Sequence, residues 1–306
     1  FMSYRIIFMG TPEFSVPILR SLNLKYKIVS VFTQSPKKKS RGQKILKSPV
    51  HLEAEKLNIP IRHPNNLNNE TEIQFIKKVK AHFVVVVAYG QMIPDKLLNE
   101  KNLIFLNIHA SLLPKWRGAA PIQRSIMERD KETGISIMKI TSKLDAGPCM
   151  LQESTSIDDK DNFLSLSKKL STIGSRLILE ALSLFKKDEA RFTSQKQELV
   201  SYAKKIDKKE SEINWNESAK ILIAKIKGLN PYPGVWFKHK NTRIKIIEAE
   251  ESKHQGKIGE VLTDDLIVGC HDSSIKINLV QKEGKTALPS KSFLMGYKIK
   301  KGEILY

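Results

Sequence analysis

Apolar, β-branched runs alternate with amphipathic helical patterns along the first half of the chain, and this alternation constrains the fold most strongly. The run "HFVVVVAYG" (82–90) is too apolar for a sheet with one face in water, and "RIIFMG" (5–10) has the same character. Strands of this kind need helices on both faces, which successive strand–helix–strand units supply. The pattern predicts an α/β fold with a mostly parallel, doubly wound (Rossmann-like) sheet.

Capping signals predict where the helices begin. Thr11 is the expected N-cap of the first helix with Pro12 as its first residue, and Ser48 with Pro49 opens the second. Periodicity predicts the remaining elements over 27–34, 49–57, 70–80, 82–90, 103–111, 119–129, 133–140 and 148–154. A long amphipathic helix over 162–187 is expected to close this half of the chain.

The second half has a different pattern. Residues 189–209 are polar and charged, which is typical of a linker. After one more helix in "NESAKILIAKIKGL", short alternating strands are predicted in "RIKIIEAE", "KIGEVLT", "LIVGC" and "SIKINLVQ". This spacing favours a small β-barrel. We therefore predict an α/β domain over 2–188, a linker over 189–209 and the barrel domain over 210–306.

Charge indicates the class of partner. The chain has 52 Lys and Arg against 32 Asp and Glu, a net charge of +20. An excess of this size attracts polyanions over long range, so nucleic acid is the leading partner and an anionic membrane the second. A lysine-rich composition that only adds solubility is the alternative.

Several classes of protein are disfavoured. The two cysteines, Cys149 and Cys270, lack CxxC spacing, so we expect no metal site and interpret both as small buried residues in a reducing, cytoplasmic setting. Neither a signal peptide nor a transmembrane segment is visible. With nucleic acid as the leading partner, no membrane partner is expected. No GxGxxG or GxxxxGK[ST] motif is present, and "FMGTPEF" is interpreted as a plain strand–helix turn.

The segment Gln34–Pro49 is too long for an ordinary connection and strongly basic. It has six cations and no acid, namely Lys37, Lys38, Lys39, Arg41, Lys44 and Lys47. Long loops in compact α/β domains often bind ligands, so we predict contacts with phosphate groups. A solvated, mobile run of charges is the alternative.

Two polar side chains, Asn107 and His109, occur at the end of the apolar run "LIFLNIHAS". Being two residues apart on a strand, they share one face, at the edge of the sheet where open α/β folds bind ligands. An amide and an imidazole together suit acyl-type transfer, as oxyanion donor and proton shuttle. Asp145 in "KLDAGPC" is a candidate third member, although spacing alone does not place it beside His109. A structural histidine and an ordinary turn aspartate are the alternatives.

At these residues the chain resembles the methionyl-tRNA formyltransferase family. The resembling motifs are "IIFMGTPEFSVPIL", "VVVVAYGQMIP", "NIHASLLPKWRGAAPIQRSIM", "ETGISIMKI", "LDAGPCM" and "NPYPGVW", which together span nearly the whole chain. The most specific is "SLLPKWRGAAPIQR", since related folate-dependent formyltransferases generally lack "WRGAAPIQR". The departures are Lys115, where Arg is common, and the unusually basic "KKKSRGQK".

The resemblance implies an enzyme that moves a formyl group from the co-substrate 10-formyltetrahydrofolate to the α-amine of methionyl-initiator-tRNA, for translation initiation and without a metal. It implies catalytic roles for Asn107, His109 and Asp145, and an OB-like fold for the smaller barrel domain. It implies folate contacts by Ser111, Leu112, Leu113 and Pro114, and tRNA contacts by the basic loop through Lys37, Lys38, Lys39, Arg41 and Lys44. The expected protein is a cytoplasmic monomer.

Two other functions remain open on the sequence. One is a formyltransferase with a small amine acceptor, such as a nucleotide or an amino sugar, for which the basic loop and barrel have little use. The other is a non-enzymatic RNA-binding module built on an OB-like barrel, which leaves Asn107 and His109 without a role.

Overall fold

The computed structural model describes residues 4–39 and 44–306 of the protein. Two compact units alternate along the chain. The first comprises the described residues of Phe1–Gly118, with Thr133–Thr155 and Ser167–Tyr202, and the second comprises Ala119–Glu132, Ser156–Leu166 and Ala203–Tyr306. The units are therefore interleaved in sequence, while the continuous domains expected at 2–188 and 210–306 stay a prediction.

The chain as far as residue 203 alternates strands and helices. The elements are β1 (Arg5–Gly10), α1 (Val16–Lys25), β2 (Lys27–Phe32), β3 (Lys37–Lys39), β4 (Lys44–Leu46), α2 (Pro49–Lys56), β5 (Ile61–Arg62), α3 (Glu70–Lys78), β6 (Phe83–Val87), α4 (Asp95–Leu98), β7 (Ile104–His109), β8 (Arg117–Gly118), α5 (Pro121–Met127), β9 (Glu132–Lys139), β10 (Cys149–Ser156), α6 (Phe163–Lys186) and β11 (Tyr202–Ala203).

Seven of these strands form one sheet in the order β10-β9-β7-β6-β1-β2-β5. β1 is parallel to β2 and β6, β2 is parallel to β5, and β6 is parallel to β7, whereas β9 runs antiparallel to β7. The mostly parallel sheet predicted from the apolar runs is confirmed. The strand order reverses between β1 and β6, which is where such sheets open a crevice at the carboxyl ends of their strands.

Both faces of this sheet are covered, as its apolar strands require. On one face Ile7 and Val84 pack with Ile73 and Ile76 of α3 in a buried cluster. On the other face α6 lies so close that a Cβ added at Gly174 would be 3.1 Å from the side chain of Ile108. Within the described ranges, no helix combines the length and the apolar composition needed to cross a bilayer.

The first helix begins later than predicted. Thr11 and Pro12 precede a 3₁₀ turn at Glu13–Ser15, and α1 begins at Val16 with Ser15 as its N-cap. The Thr11 hydroxyl instead donates to the carbonyl oxygen of Tyr89, at 2.9 Å, which explains why it does not cap the helix. The start predicted for α2 is confirmed, because the Ser48 side chain accepts a hydrogen bond from the His51 backbone.

The segment Gln34–Pro49 is not wholly a loop, contrary to the prediction. Its β3 pairs antiparallel with β4, with Lys37 opposite Leu46 and Lys39 opposite Lys44. The two strands form a short antiparallel ribbon, whose backbone pairing the lysine-rich composition does not reveal. Arg41 lies outside the described residues.

The second unit is built around a curled antiparallel sheet. After α7 (Ala219–Leu229) come β12 (Val235–His239), β13 (Thr242–Ser252), β14 (Ile267–Gly269), β15 (Ser274–Lys282), β16 (Ala287–Pro289) and α8 (Ser290–Gly296). β13 pairs with β12 and β15, and β15 pairs with β14 and β16. Register shifts between Ile246 and Ala249 bend β13, as bulges do, and curl the sheet into a half-barrel.

This half-barrel confirms the predicted fold class of an α/β domain followed by an OB-like barrel. One strand prediction within it is wrong. "KIGEVLT" forms only isolated bridges, Glu260 with Ile304 and Val261 with Val268. The physical reason is Gly259, whose φ of +75° turns the backbone out of the extended conformation that a continuous strand requires.

Candidate active site

The end of β7 holds two of the three predicted catalytic residues. Asn107 lies opposite Val86 of β6 and Met138 of β9, and His109 lies opposite Ser136. Their side chains share one face because residues two apart on a strand point the same way. Asn107 is half-buried and His109 is buried. Both lie at the carboxyl end of the strand, as predicted.

A tight turn between β9 and β10 brings Asp145 to the same place. Asp145 has a φ of +46°, a left-handed conformation that aspartate tolerates better than most residues. The chain passes close to itself here, since a Cβ added at Gly147 would lie 1.8 Å from the carbonyl oxygen of Lys139. The sequence could not supply this placement, because it depends on a left-handed residue and a close approach that only the folded turn defines.

The Asp145 carboxylate joins the three residues. Its Oδ1 accepts a hydrogen bond from Asn107 Nδ2 at 3.4 Å, and its Oδ2 lies 3.7 Å from His109 Nδ1. The same Oδ2 accepts the backbone N–H of Gly118 at 2.8 Å. The structure therefore brings together Asn107, His109 and Asp145, which lie up to 38 positions apart in sequence.

The two ring nitrogens of His109 face different partners. Nε2 lies 2.8 Å from the carbonyl oxygen of Trp116, and since a carbonyl only accepts, Nε2 carries the proton in this contact. Nδ1 faces the Asp145 carboxylate. The side chain of His109 is 6% exposed and that of Asp145 is 15% exposed. The imidazole is thus fixed from both sides, and Asn107 and Asp145 are the more exposed members of the trio.

The predicted folate segment is a turn tied down by its own polar groups. The Ser111 hydroxyl donates to Lys115 O at 2.6 Å. Ser136 of β9 donates to Ser111 O at 2.6 Å and accepts from Leu113 N at 3.0 Å. Ser111 and Leu113 are buried, whereas Leu112 and Pro114 are partly exposed. Only the latter two present side chains towards solvent.

The role of Ser136 was not predicted from the sequence. It is fully buried, and besides its two bonds to the Ser111–Pro114 turn it accepts from Gln152 Nε2 at 2.7 Å. Gln152 also donates to Leu113 O at 2.9 Å. The available signal was one serine within the apolar run "GISIMK", since a hydroxyl buried in a strand needs a specific partner.

The predicted tRNA contacts by the basic segment stay a prediction. Lys37, Lys38 and Lys39 lie on β3 and Lys44 on β4, and Arg41 is outside the described residues. Over 4–39 and 44–306, no cluster of three or more His, Cys, Asp or Glu side chains is arranged to hold a metal ion. Burial raises the pKa of the Cys149 thiol to about 11.

The second unit has a basic groove of about 500 Å³. Four cationic side chains line it against one acid, Glu283: Lys208, Arg243, Lys245 and Lys282. The guanidinium carbon of Arg243 lies 4.1 Å from the ring centroid of Trp236, a cation–π contact. Tyr232 at the rim is 75% exposed. Exposed rings beside cations suit a nucleic-acid backbone and its bases.

Two family matches cover this chain. The family Formyl transferase matches residues 4–182, and Formyl transferase, C-terminal domain, matches residues 205–298. Among curated relatives, the methionyl-tRNA formyltransferase of Pelagibacter ubique is 49% identical, covering 98% of this chain and 98% of its own. That of a Jannaschia species is 41% identical, covering 98% of this chain and 99% of its own.

Solved structures with the same fold are more distant in sequence. HypX from Aquifex aeolicus, in complex with tetrahydrofolic acid, aligns with a TM-score of 0.65 at 17% identity over 99% of this chain, which spans about half (50%) of HypX. WlaRD, a sugar 3N-formyl transferase, aligns with a TM-score of 0.66 at 18% identity, covering 94% of this chain and all of its own. These likenesses support the fold.

The near full-length relatives decide among the classes left open by the sequence. A non-enzymatic RNA-binding module does not account for a Formyl transferase match that includes the whole Asn107–His109–Asp145 region. The family expected from the motifs is confirmed, and with it an enzyme of formyl transfer. The chain belongs to the methionyl-tRNA formyltransferase family.

Proposed function

We propose that this protein transfers the formyl group of 10-formyltetrahydrofolate to the α-amine of methionyl-initiator-tRNA, for translation initiation. One observation carries the proposal: the Asn107–His109–Asp145 trio is assembled in a chain that matches methionyl-tRNA formyltransferases over 98% of its length. A proton shuttle and an amide donor held by one carboxylate are the groups that acyl transfer to an amine needs.

The donor set of the trio fits a formyl-bearing ligand. Asn107 uses one amide N–H on Asp145, and its second N–H is left for the formyl oxygen. Its half-buried position lets a ligand reach it while excluding most water. The folate supplies the formyl group on its N10 nitrogen. Of the predicted folate contacts, the partial exposure of Leu112 and Pro114 supports direct contact, and burial of Ser111 and Leu113 supports a role in holding the turn.

The reaction forms one C–N bond and breaks another. The neutral α-amine attacks the formyl carbon, the bond from that carbon to N10 breaks, and a proton moves in net from the amine to N10. Asn107 donates a hydrogen bond to the formyl oxygen as negative charge develops there. His109 takes the proton at Nδ1, which lies 3.7 Å from Asp145 Oδ2, and passes it to N10, while Nε2 stays bonded to the Trp116 carbonyl oxygen. Asp145 orients the imidazole and stabilises the imidazolium that forms during the transfer.

The tRNA is proposed to contact two basic regions. The first comprises Lys37, Lys38, Lys39, Arg41 and Lys44, in the Gln34–Pro49 segment. The second is the basic groove of the second unit, where Arg243, Lys245 and Lys282 offer phosphate contacts. We expect Arg41→Ala to weaken the use of methionyl-tRNA and to leave folate binding unchanged, because a guanidinium can hold a phosphate with two parallel hydrogen bonds. A monomer acting in the cytoplasm remains part of the proposal.

Competing acceptors test the function. The full chain is incubated with 10-formyltetrahydrofolate and, separately, methionyl-initiator-tRNA, methionyl-elongator-tRNA, free methionine or a dTDP-linked amino sugar. We expect rapid formylation of the initiator species alone. Preferred formylation of the sugar, the chemistry named for WlaRD, would replace the tRNA by a small acceptor.

A further inference from the structure

Residues beyond α6, in the stretch expected to be a linker, return to the Asp145 turn. Thr193 and Cys149 form an antiparallel bridge, with N–H to carbonyl distances of 2.9 Å and 2.8 Å. In this register the residue two beyond Thr193 lies beside the residue two before Cys149. Gln195 therefore lies next to Gly147, on the same turn as Asp145.

The amide of Gln195 is buried and fully used. Its Nε2 donates to the carbonyl oxygens of Asp145, at 2.8 Å, and of Gly147, at 2.7 Å. Its Oε1 accepts from Arg117 Nε at 3.0 Å. Gln195 is 9% exposed and Arg117 is 4% exposed, so water competes little for these bonds. One side chain thus joins the turn that carries Asp145 to β8, which begins at Arg117.

The residues on either side of Arg117 hold His109 and Asp145 in place. Trp116, which precedes Arg117, places its carbonyl oxygen 2.8 Å from His109 Nε2. Gly118, which follows Arg117, donates its N–H to Asp145 Oδ2. A shift of the Arg117 backbone or of the Asp145 backbone would therefore change the position of the imidazole and of the carboxylate together.

The bonds to Gln195 also oppose a conformational preference. Asp145 has a positive φ, which is unfavourable for a residue other than glycine and persists only where the surroundings impose it. The two bonds from Nε2 fix the carbonyls on either side of Ala146, and so restrain this part of the turn. Within the described part of the chain, Arg117 Nη2 is buried without a hydrogen-bond partner, so Gln195 is the principal acceptor for this guanidinium.

We propose that Gln195 is a positioning residue of the active site, which sets the geometry of Asp145 and, through the backbone around Arg117, of His109. The inference rests on the proposed function for the roles of Asp145 and His109, but the contacts that carry it do not. Only a primary amide offers two donors and one acceptor at this point, so neither a carboxylate nor an apolar isostere reproduces it.

The first experiment compares two matched amide deletions. Gln195→Met removes the amide at nearly constant volume. Asn230→Leu is the control, because Asn230 Nδ2 likewise donates to two carbonyls, of Ile246 and Ile247, but in the second unit. We expect Gln195→Met to lower kcat for formyl transfer by about 10- to 100-fold, with KM for folate and tRNA changed by less than about twofold, since small misplacements of catalytic groups have effects of this size. Asn230→Leu should lower Tm and leave kcat unchanged.

A double-mutant cycle tests whether Gln195 acts through Asp145. In an Asp145→Asn background, Gln195→Met should lower kcat by less than about threefold, because residues acting as a unit are not additive. Gln195→Glu keeps an acceptor for Arg117 but turns a carboxylate towards two carbonyl oxygens, so its kcat should fall as far as that of Gln195→Met. Additive effects, or full activity of Gln195→Glu, would overturn the proposal.

Hydrogen exchange provides a readout that does not depend on which amine the enzyme formylates. In Gln195→Met, the rate of deuterium exchange in peptides covering 142–147 should rise by about tenfold, because loss of local restraints favours local opening. Asn230→Leu should leave it unchanged. If wild type fails to formylate methionyl-tRNA, the proposed function fails, while uptake still tests the restraint. If wild type formylates but uptake and kcat are unchanged in Gln195→Met, the Gln195 proposal alone is wrong.

Discussion

The two units treat their polar side chains in opposite ways. In the first unit His109, Ser136 and Gln195 are buried and bonded on several sides. In the second unit two cations of the groove, Lys208 and Arg243, are exposed, and Lys245 and Lys282 are partly exposed. Arg243 lies beside the ring of Trp236. This contrast follows from the two tasks. Proton transfer needs groups fixed to within fractions of an ångström, whereas a polyanion is attracted by charged side chains that can move to meet it.

Substitutions in the trio are expected to lower kcat strongly and to leave tRNA binding unchanged. His109→Ala and Asn107→Ala should each lower kcat by at least about 100-fold, the usual scale for losing a proton shuttle or an oxyanion donor. Steady-state kinetics and a separate tRNA-binding measurement check this. The control is His254→Ala, since His254 is exposed and bonds only locally to Ser252. Near wild-type turnover in either site variant would remove that residue from the mechanism.

A substitution in the basic groove is expected to weaken tRNA binding and to leave the chemical step unchanged. Arg243→Met should weaken tRNA binding by about 3- to 10-fold and reduce the slope of log K against log salt by about one, because one phosphate contact is lost. Lys220→Met removes an equal charge from an exposed site on α7 and should change neither. Titrations at several salt concentrations measure both quantities. Equal losses in the two variants would mean that only net charge matters, and the groove would have no specific role.

The third prediction sharpens the account of buried polar groups in the first unit. Hydrogen bonds from Arg20, at 2.6 Å and 2.7 Å, hold the pKa of the Glu53 carboxyl below its usual range. A carboxyl pKa lowered by folding stabilises the protein above its unfolded value, about 4.3, and this stabilisation is lost as pH falls through the folded value. Arg20 is half exposed, so solvent screening limits the effect.

We therefore expect Glu53→Gln to lower the free energy of unfolding by about 1 kcal/mol at pH 7 and by much less near pH 3. Urea denaturation at both values measures this. Glu180→Gln, at an exposed position, should have no effect at either pH. A loss that is the same at pH 3 and pH 7 would mean that packing, and not the ion pair, accounts for it.

Each unit has one buried cysteine, and the last prediction concerns the slow reaction of these thiols with alkylating reagents. Burial raises the pKa of Cys149 to about 11 and also raises that of Cys270. Because the thiolate is the reactive form, alkylation at pH 8 should be slow in the folded protein and should speed up about tenfold per pH unit for Cys149. Mass spectrometry of iodoacetamide-treated protein checks this, with urea-unfolded protein as the control. Fast labelling of native Cys149 would contradict its burial.

Much of the fold and the trio could be predicted, because periodicity and chemistry are local in sequence. The sheet followed from apolar runs, and Asn107 and His109 stood out as polar residues within one. Asp145 could be placed only by resemblance, since its approach depends on a left-handed turn. Gln195 could not be found, because a glutamine in a charged stretch looks solvated until the fold buries it.

The path of residues 189–202 bears on how this enzyme could be recombined. A chimera joined at 188, where the sequence suggests a boundary, would take its catalytic core from one parent and Thr193 and Gln195 from the other. The bridge to Cys149 and the amide contacts to the Asp145 turn would then join chains that did not evolve together. Exchange of the barrel between relatives should therefore succeed more often with a junction after 202 than with one at 188, since residues 189–202 belong to the first unit.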